Sequence, residues 1–406
     1  MVKRGSILDP AALAAGLLLA TAAQAQISDN VVKIGVLNDM SGLYADVTGM
    51  STVEAVRMAI EDFGGKVKGA PIELIYADHQ NKPDVGVSIA RKWIDVEKVD
   101  AIVDVPGSSI ALGVQEVTRE ANRVFINTGS GSTALSGAKC SPTAVQWTYD
   151  TYALAQGIGA AGVQKLGDTW FFLTVDYSFG QAMEKDIAAV VTANGGKVLG
   201  STRHPLNAGD FSSFLLKAQS SGAKVVAFAN ASTDAVNAVK QAQEFGLPQS
   251  GQVIAAPLML ITDVHALGLK SAQGLMVVDA FNPERDEDSR AFTKRYMDRT
   301  KRMPSMVQAA AYSAVGHYLK AIEATGTDEA KTVIARMREV PVNDAFAKGA
   351  RLRPDGRLEH DMYLMRVKAP AESKHEWDLT TVVATIPASQ ATRPLAESDC
   401  PLLKDK

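Results

Sequence analysis

The segment VVKIGVLNDMSGLYADVTGM, residues 31–50, decides the fold of this chain. Its first part, residues 31–37, is a short apolar run of the kind that forms a buried strand. A polar loop that contains glycine and Tyr44 follows. An amphipathic helix then begins near Met50, with apolar residues three or four positions apart between positions 53 and 63. A strand, a loop and a helix in this order form the unit of α/β folds, whose ligands bind at the loops that follow the strands.

The same alternation of apolar strands and amphipathic helices continues along the chain and starts again in its middle. Strands are predicted at 31–37, 72–77, 101–105 and 124–127, and again at 170–175, 198–203, 225–229, 253–256 and 275–280. Helices are predicted at 85–96, 111–121, 152–166, 181–193, 211–220, 235–245, 289–299, 306–324 and 328–338. Residues 362–367 and 379–385 are predicted to form an antiparallel pair. Short apolar strands between helices indicate parallel sheets covered on both faces. The predicted fold class is therefore α/β, with two doubly wound Rossmann-like lobes around a cleft.

The first 25 residues have the features of a secretory signal. Lys3 and Arg4 precede an apolar stretch, and Ala23-Gln24-Ala25 has the small-x-small form that signal peptidases cleave. The stretch is shorter than the roughly 20 residues that a membrane-spanning helix needs. We therefore expect cleavage after about Ala25 and an exported chain of about 380 residues, which suits two domains.

Charge and cysteine content exclude several partners. The formal net charge is −3 and no basic stripe is present, so no nucleic-acid partner is expected. The two cysteines, Cys140 and Cys400, are expected to form a disulfide in an oxidising compartment, with two unpaired buried thiols as the alternative. Neither cysteine has a close Cys or His neighbour in sequence and the six histidines are scattered, so no metal and no cofactor are predicted.

Small and hydroxylated residues follow two neighbouring strands of the first series. Pro106-Gly107-Ser108-Ser109 comes after one strand, and Thr128 to Thr133 after the next. Glycine allows close approach of the backbone, hydroxyls donate hydrogen bonds, and helix N-termini present unpaired N–H groups. Ser108, Ser109, Thr128 and Ser130 could together hold a carboxylate without any arginine. Ordinary helix capping by serine and threonine is the alternative.

Aromatic residues are also placed near the predicted cleft. Tyr44 and Tyr177 occupy matching positions, each just after a strand, and could supply apolar area together with a hydroxyl. Packing of each ring onto its own lobe is the alternative. Trp147, where the chain is expected to cross between lobes, is interpreted as a plug of the hinge.

Signals of catalysis are weak. Ser136-Gly137-Ala138-Lys139 and Ser221-Gly222-Ala223-Lys224 both match S-x-x-K, but neither has the partner motifs of a serine acylase. The chain has no G-x-S-x-G and the glycines near Thr128 do not form G-x-G-x-x-G. We therefore predict a protein that is not an enzyme, with an exported serine hydrolase as a remote alternative.

The chain resembles the branched-chain amino acid binding proteins, the type I periplasmic solute receptors of ABC importers. The resemblance is carried by VKIGVLNDMSGLYAD, VDAIVDVPGSSIALGVQEV, FINTGSGSTAL, WFFLTVDYSFG and AYSAVGHYLKAI, in the order of the family. It implies two lobes, three crossings between them and closure around one solute. By resemblance, the N-lobe comprises 26–147 and about 279–348, the C-lobe 148–278 and about 349–388, and residues 389–406 form a tail.

The resemblance also implies a site. Tyr44 would cover the ligand, and the ligand carboxylate would be received by Ser108, Ser109, Thr128, Gly129 and Ser130. Tyr177, Asn230, Leu260 and Thr262 would contribute from the C-lobe. The expected partner is an inner-membrane ABC permease, and the protein is expected to be a monomer. A sensor that passes its bound state to a signalling protein is the alternative.

One loop departs from the family. Amino-acid binders place an acid after the strand that corresponds to 253–256, where it holds the ligand ammonium. Here the loop reads PLMLITDVHALG, in which residues 258–261 are apolar and Asp263 is expected to cap a short helix. An ammonium without a charged partner in a closed cleft would be destabilised by several kcal/mol. We therefore expect a carboxylate ligand without an α-amine, with an aromatic acid favoured. A branched-chain amino acid or an amide is the alternative.

Overall fold

A buried strand, a loop and a helix form in the opening segment, in the predicted order. Strand β1, Val32–Asn38, buries every side chain except that of Lys33, which is half-buried. Helix α1, Gly49–Phe63, buries Val53 and Val56 on one face. It ends at Gly64, whose φ of 100° is readily adopted only by glycine. The loop at 39–48 therefore lies at the carboxyl end of a central strand.

The computed structural model describes Met1 and residues 26–404. The predicted signal peptide, apart from Met1, and its cleavage site lie outside the described residues. The strands are β1 Val32–Asn38, β2 Lys66–Val67, β3 Ala70–Asp78, β4 Ala101–Asp104, β5 Val124–Asn127, β6 Ala144–Gln146, β7 Thr169–Val175, β8 Lys197–His204, β9 Val225–Ala229, β10 Val253–Ala255, β11 Met276–Asp279, β12 Val342–Asn343, β13 Lys348–Leu352, β14 Leu358–Glu359, β15 Met362–Val367 and β16 Thr380–Ile386. The α-helices are α1 Gly49–Phe63, α2 Pro83–Asp95, α3 Ser108–Glu120, α4 Thr151–Lys165, α5 Ser178–Ala193, α6 Ser212–Ser220, α7 Ser232–Glu244, α8 Ile261–Leu267, α9 Leu269–Ala272, α10 Glu287–Thr300, α11 Met306–Thr325, α12 Ala330–Glu339 and α13 Ala388–Ala391.

Two sheets organise the molecule. The first has the strand order β2-β3-β1-β4-β5-β6, and the second has the order β16-β15-β11-β10-β9-β7-β8. Strands β1, β3, β4, β5 and β6 pair in parallel, as do β7 to β11. We call the half built on the first sheet the N-lobe and the half built on the second sheet the C-lobe. The predicted doubly wound α/β fold is confirmed, while the predicted sequence boundaries of the lobes stay predictions.

Each sheet has a point at which the direction of strand addition reverses. In the N-lobe this point lies between β1 and β4, and in the C-lobe between β7 and β9. The loops at the carboxyl ends of these strands diverge there and leave a crevice, which is where open α/β sheets bind ligands. The loops after β1, β4, β7 and β9 are therefore the candidate site by topology alone.

The predicted strands and helices differ from the observed ones mainly in short strands and at helix starts. The predicted antiparallel pair is confirmed as β15 and β16, which extend the second sheet beyond β11. Strands β2 and β6 and the small sheet β12-β13-β14 were not predicted, whereas β3 was predicted at 72–77. Strands β2, β12 and β14 have two residues each, which is too short to show a period. Helices α3, α5 and α7 each begin three residues before the predicted start, at Ser108, Ser178 and Ser232. A serine at the first position of each helix gives no apolar signal.

The crossings between the lobes are closely packed. Trp147 is fully buried, and its Nε1 donates a hydrogen bond to Ser313 Oγ at 3.2 Å. The guanidinium of Arg357 is ion-paired with Asp150 at 3.1 Å and donates to the Trp147 carbonyl. Trp147 therefore fills the crossing region and does not line the ligand cavity described below, in agreement with its interpretation as a plug.

The two cysteines are bonded to each other. Cys140 and Cys400 form a disulfide that joins positions 260 residues apart, and both are buried. The predicted pairing is confirmed. Among residues 26–404, no helix has the length and apolarity needed to cross a membrane.

Candidate ligand-binding site

A cavity lies between the two lobes, at the carboxyl ends of both sheets. About 420 Å³ in the cavity and at its mouth is free of protein atoms. Its walls come from the loops after β1, β4 and β5 in the N-lobe and after β7, β9 and β10 in the C-lobe. The cavity is therefore at the place that the strand topology indicates.

The N-lobe wall combines a helix N-terminus with small residues. Gly107 and Ser108 at the start of α3, and Gly129 to Gly131 after β5, line the cavity. The first N–H groups of an α-helix have no partner within the helix and carry a partial positive charge. Ser108 Oγ accepts a hydrogen bond from the Ser132 backbone N–H at 3.2 Å. Its own proton is then available to a ligand oxygen, so this wall can receive an anion.

Two residues with unfavourable backbone conformations orient the N-terminus of α3 toward the cavity. Asp104 and Val105 have φ values of 82° and 58°, which β-branched valine in particular rarely adopts. Such conformations are unfavourable by about 1–3 kcal/mol each and cluster at functional sites. They turn the chain sharply between β4 and α3. The N-terminus of α3 thereby faces the cleft.

A buried carboxyl group supports the same wall from below. Asp104 accepts hydrogen bonds from Asn38 Nδ2 and Thr128 Oγ1, both at 3.1 Å, and burial raises its pKa to about 6. A Cβ at Gly129 would lie 2.5 Å from Asp104 Oδ1, so glycine is required by contact at that position. Thr128 therefore anchors the loop to the strand below it.

Four aromatic side chains form the other walls: Tyr44, Tyr149, Tyr177 and Phe179. The hydroxyl oxygens of Tyr44 and Tyr177 lie 2.5 Å apart across the two lobes. Tyr149 donates to the Gly129 carbonyl at 3.1 Å. Burial raises the pKa of all three tyrosines, so their hydroxyls are neutral and can donate at neutral pH.

The opening loop has one internal anchor. The Asp39 carboxylate accepts hydrogen bonds from the backbone N–H groups of Gly42 at 2.7 Å and Tyr44 at 2.9 Å. A Cβ at Gly42 would approach this carboxylate to 2.8 Å. Arg302 holds the same loop from outside through Asp46 at 2.6 Å. The polar, glycine-bearing loop therefore serves to place Tyr44 over the cavity.

Direct hydrogen bonds hold the lobes together around the cavity. Ser232 Oγ and Thr233 Oγ1, in the first turn of α7, donate to the Leu43 carbonyl at 2.9 and 3.1 Å. The hydroxyls of Ser109 and Ser178 lie 3.0 Å apart and join the first turns of α3 and α5. The structure is therefore a closed conformation.

The acid in the C-lobe loop departs from the sequence interpretation. Asp263 caps α8 as expected, since its Oδ2 accepts the Leu260 N–H at 2.9 Å. It also lines the cavity and is buried, which raises its pKa to about 7. The expectation that no acidic side chain faces the ligand from this loop is wrong. Apolar neighbours in sequence hid Asp263, because the α8 turn brings it back to the cavity beside Leu258 and Leu260.

The predicted site residues separate into two groups. Six line the cavity: Tyr44, Ser108, Gly129, Ser130, Tyr177 and Leu260. Ser109 is exposed at the cleft rim and Thr128 lies beneath the wall. Asn230 is buried beside His204 Nε2 at 3.3 Å, and Thr262 is buried. Contacts of these last four with a ligand stay predictions.

Several lining residues were not predicted: Val47, Thr48, Pro106, Gly107, Gly131, Tyr149, Phe179, Ala231, Ser232, Leu258, Asp263 and Val307. Most lie within two residues of a predicted one, so a wider reading of each loop would have included them. Val307, at the start of α11, has no local signal because it reaches the cavity only through tertiary packing.

The structure gives the two S-x-x-K serines local roles. Ser136 donates to Gln146 Oε1 at 2.8 Å, and Ser221 donates to the Ala218 carbonyl at 2.6 Å. In the part of the chain that the structure describes, no group of three or more His, Cys, Asp or Glu side chains is arranged to hold a metal ion.

A sequence model of the family described as periplasmic binding protein matches residues 31–374. The chain belongs to this family. It is a periplasmic binding protein of the ABC transporter type, and the members compared with it are substrate-binding proteins of transporters. The prediction that it is not an enzyme is thereby confirmed.

Solved structures agree with this membership. A periplasmic binding protein from Burkholderia mallei is 51% identical, with a TM-score of 0.90 over 92% of this chain and 99% of that one. A branched chain amino acid ABC transporter periplasmic ligand-binding protein from Burkholderia xenovorans LB400 is 39% identical, with a TM-score of 0.82 over 92% and 100%. A solute binding protein of an ABC transporter from R. palustris, in complex with benzoate, is 19% identical, with a TM-score of 0.79 over 87% and 96%, and shares the fold.

Proposed function

We propose that this periplasmic binding protein captures a small aromatic carboxylate by closure of its two lobes and delivers it to an ABC permease of the inner membrane. One observation carries the proposal. The cavity offers an uncharged anion-binding wall on one side and four aromatic side chains on the others. None of the described residues that line it is basic.

The carboxylate end of the ligand is assigned to the N-lobe wall. The first turn of α3, the Ser108 hydroxyl and the small residues around Ser130 can surround two oxygens without a bulky side chain. Hydrogen bonds from neutral donors to a charged group contribute about 1.5–3 kcal/mol each. Ser130 Oγ itself donates to the Val105 carbonyl at 2.7 Å. Ser108 is therefore the main hydroxyl donor and Ser130 shapes the wall.

The ring end is assigned to the aromatic walls. Tyr44, Tyr177 and Phe179 close around the cavity, and Tyr149 forms its side toward the crossing between lobes. Offset or edge-to-face contacts between aromatic rings contribute about 0.5–1.5 kcal/mol beyond their buried area.

Asp263 favours a ligand with a second polar group. A carboxyl with a pKa of about 7 inside an apolar wall can accept a hydrogen bond from a ring hydroxyl in its charged form or donate one in its neutral form. A buried carboxyl left without a partner would be unfavourable. We therefore include hydroxylated aromatic acids in the proposed ligand class.

A branched-chain amino acid is the second candidate, and Asp263 is the observation that favours it. A ligand ammonium beside this carboxylate would form an ion pair and lower the pKa of Asp263. The Burkholderia xenovorans protein, 39% identical, is also described as a branched chain amino acid ABC transporter protein. The two candidates differ in whether the ligand needs an amine.

Calorimetry on protein freed of ligand by unfolding and refolding tests the proposal. The matched pairs are benzoate against benzamide, which removes the carboxylate charge, and leucine against 4-methylpentanoate, which removes the amine. Benzoate or a hydroxybenzoate should bind tightly, and benzamide and leucine should not. Tight binding of leucine without binding of 4-methylpentanoate or of any benzoate would replace the proposal by the second candidate. Ligand-induced increases in melting temperature provide an independent readout.

A further inference from the structure

The C-terminal segment runs along one flank of the cleft, and we call residues 392–400 the strap. At its first end the strap is bound to the C-lobe. Arg393 pairs with Asp186 of α5 at 2.9 Å, and its guanidinium carbon lies 4.7 Å from the centre of the Tyr152 ring of α4. Helix α13, directly before the strap, also packs against α4.

The other end of the strap is bound covalently to the N-lobe. Cys400 is fully buried and is bonded to Cys140, which lies in the loop between β5 and β6. The neighbouring Asp399 approaches Gly137 so closely that a Cβ there would overlap its carboxylate. The strap is thus anchored to both lobes, and one anchor is a covalent bond.

Beneath the strap the two lobes face each other across open space. A second cavity, with about 1280 Å³ free of protein atoms, lies between the N-lobe loop at 132–138, helix α5 and the strap. Side-chain hydrogen bonds join the lobes at its edges, from Thr133 Oγ1 to Asp186 Oδ2 at 3.4 Å and between the Ser109 and Ser178 hydroxyls at 3.0 Å. Charged groups of both signs line it, including Lys185, Arg393 and Glu397. The space beneath the strap is therefore lined largely by polar and charged groups of both lobes.

We propose that the disulfide-anchored strap limits how far the lobes separate when the protein opens. Eight Cα–Cα steps join Thr392 to Cys400, so their separation cannot exceed about 30 Å. In the closed structure residues 395–397 form a short helical turn. This turn can extend when the lobes separate, so the strap permits some opening before it is fully stretched. A limited opening keeps the closed, binding-competent conformation more populated and so strengthens apparent affinity.

The proposal concerns the opening motion and does not depend on which ligand is bound. It also differs from simple stabilisation by a disulfide. A bond that only constrains the unfolded chain would raise the free energy of unfolding without changing the open conformation. The test must therefore lengthen the strap while it keeps the bond.

Two variants release the strap in different ways. Cys140→Ser combined with Cys400→Ser removes the bond. Insertion of six Gly/Ser residues after Ala396, within the exposed stretch 394–397, keeps the bond and adds slack. The matched control carries the same insertion after Gly251, an exposed turn at the amino end of β10 and away from the cleft.

The readout is the distance distribution between two spin labels in ligand-free protein, attached by non-cysteine chemistry at exposed Lys82 and Lys240. Both strap variants should show a longer and broader distribution than the wild type and the Gly251 control. The lengthened strap should keep most of the wild-type resistance to unfolding. A lengthened strap with the wild-type distribution would overturn the proposal. If the double serine variant does not fold, the insertion alone decides.

Discussion

The hydroxyl oxygens of Tyr44 and Tyr177 lie 2.5 Å apart, and this contact closes the cavity between the N-lobe and the C-lobe. Each residue follows the first strand of its own sheet, β1 or β7. Both loops lie at a point where strand order reverses. The same topological position in two lobes therefore supplies two rings that meet at one cavity.

Removal of the Tyr44 hydroxyl should weaken binding without loss of the fold. In Tyr44→Phe the ring stays, and the lost hydrogen bond corresponds to about 1 kcal/mol, or a fivefold rise in Kd. Tyr177→Phe should have a similar effect, and the double variant should add little because both substitutions remove one contact. Tyr76→Phe, at a half-exposed ring on β3, is the control and should bind as the wild type. Additive losses in the double variant, measured by calorimetry, would contradict the shared contact.

Neighbouring serines at the start of α3 should differ in their effect on binding. Ser108→Ala removes the hydroxyl that faces the cavity, so carboxylate affinity should fall about tenfold. Ser109→Ala removes a hydroxyl at the exposed rim and should change Kd by less than about threefold, because exposed hydrogen bonds contribute little. Calorimetric Kd values for the two variants measure the difference. An equal loss in both would mean that the carboxylate does not lie at the wall that we assign.

Asp263 should make the stability of the ligand-free protein depend on pH. Burial raises its pKa from the usual 3.8 to about 7, so the folded protein holds a proton that the unfolded chain releases. The contribution is therefore fully favourable below about pH 4 and is lost as pH rises toward 7. Asp263→Asn removes this titration, and the variant should gain stability relative to wild type between pH 4.5 and 7.5, by a few kcal/mol at most. Denaturant unfolding of the wild type and the variant at both pH values gives the difference in their free energies of unfolding at each pH. A constant difference would show that Asp263 does not titrate in this range.

A methyl group at Gly129 should destabilise the N-lobe wall. In Gly129→Ala the new Cβ would lie 2.5 Å from Asp104 Oδ1. Relief of such a contact requires a shift of the backbone, which should lower the free energy of unfolding by about 1–3 kcal/mol. Gly316→Ala is the matched control, since no atom outside its own helix lies within 4 Å of its Cβ and alanine favours helix. Chemical denaturation should give Gly129→Ala a lower free energy of unfolding than wild type. Gly316→Ala should be as stable as wild type or more stable. Equal stability of both variants would show that the wall accommodates a larger residue.

The helix starts illustrate how a sequence pattern can be sufficient for the fold and insufficient for the site. Apolar periodicity predicted α3, α5 and α7, but each begins three residues earlier, at a serine. The serine-bearing first turns are the parts of these helices that meet at the cleft. Apolar periodicity indicates which face of a helix packs on a sheet. It gives no information about the N-terminal end of the helix, which lies at the cleft.

The sequence by itself determined the doubly wound α/β fold and the loops in which a ligand site would lie. These features depend on local periodicity, on residue type and on which strand a loop follows. Only the tertiary structure decided that Ser108 faces the cavity while Ser109 and Thr128 do not, and that Asp263 returns to it. The direction of a side chain depends on backbone torsions such as those of Asp104 and Val105, and on partners far away in the chain. Neither is encoded in spacing along the sequence.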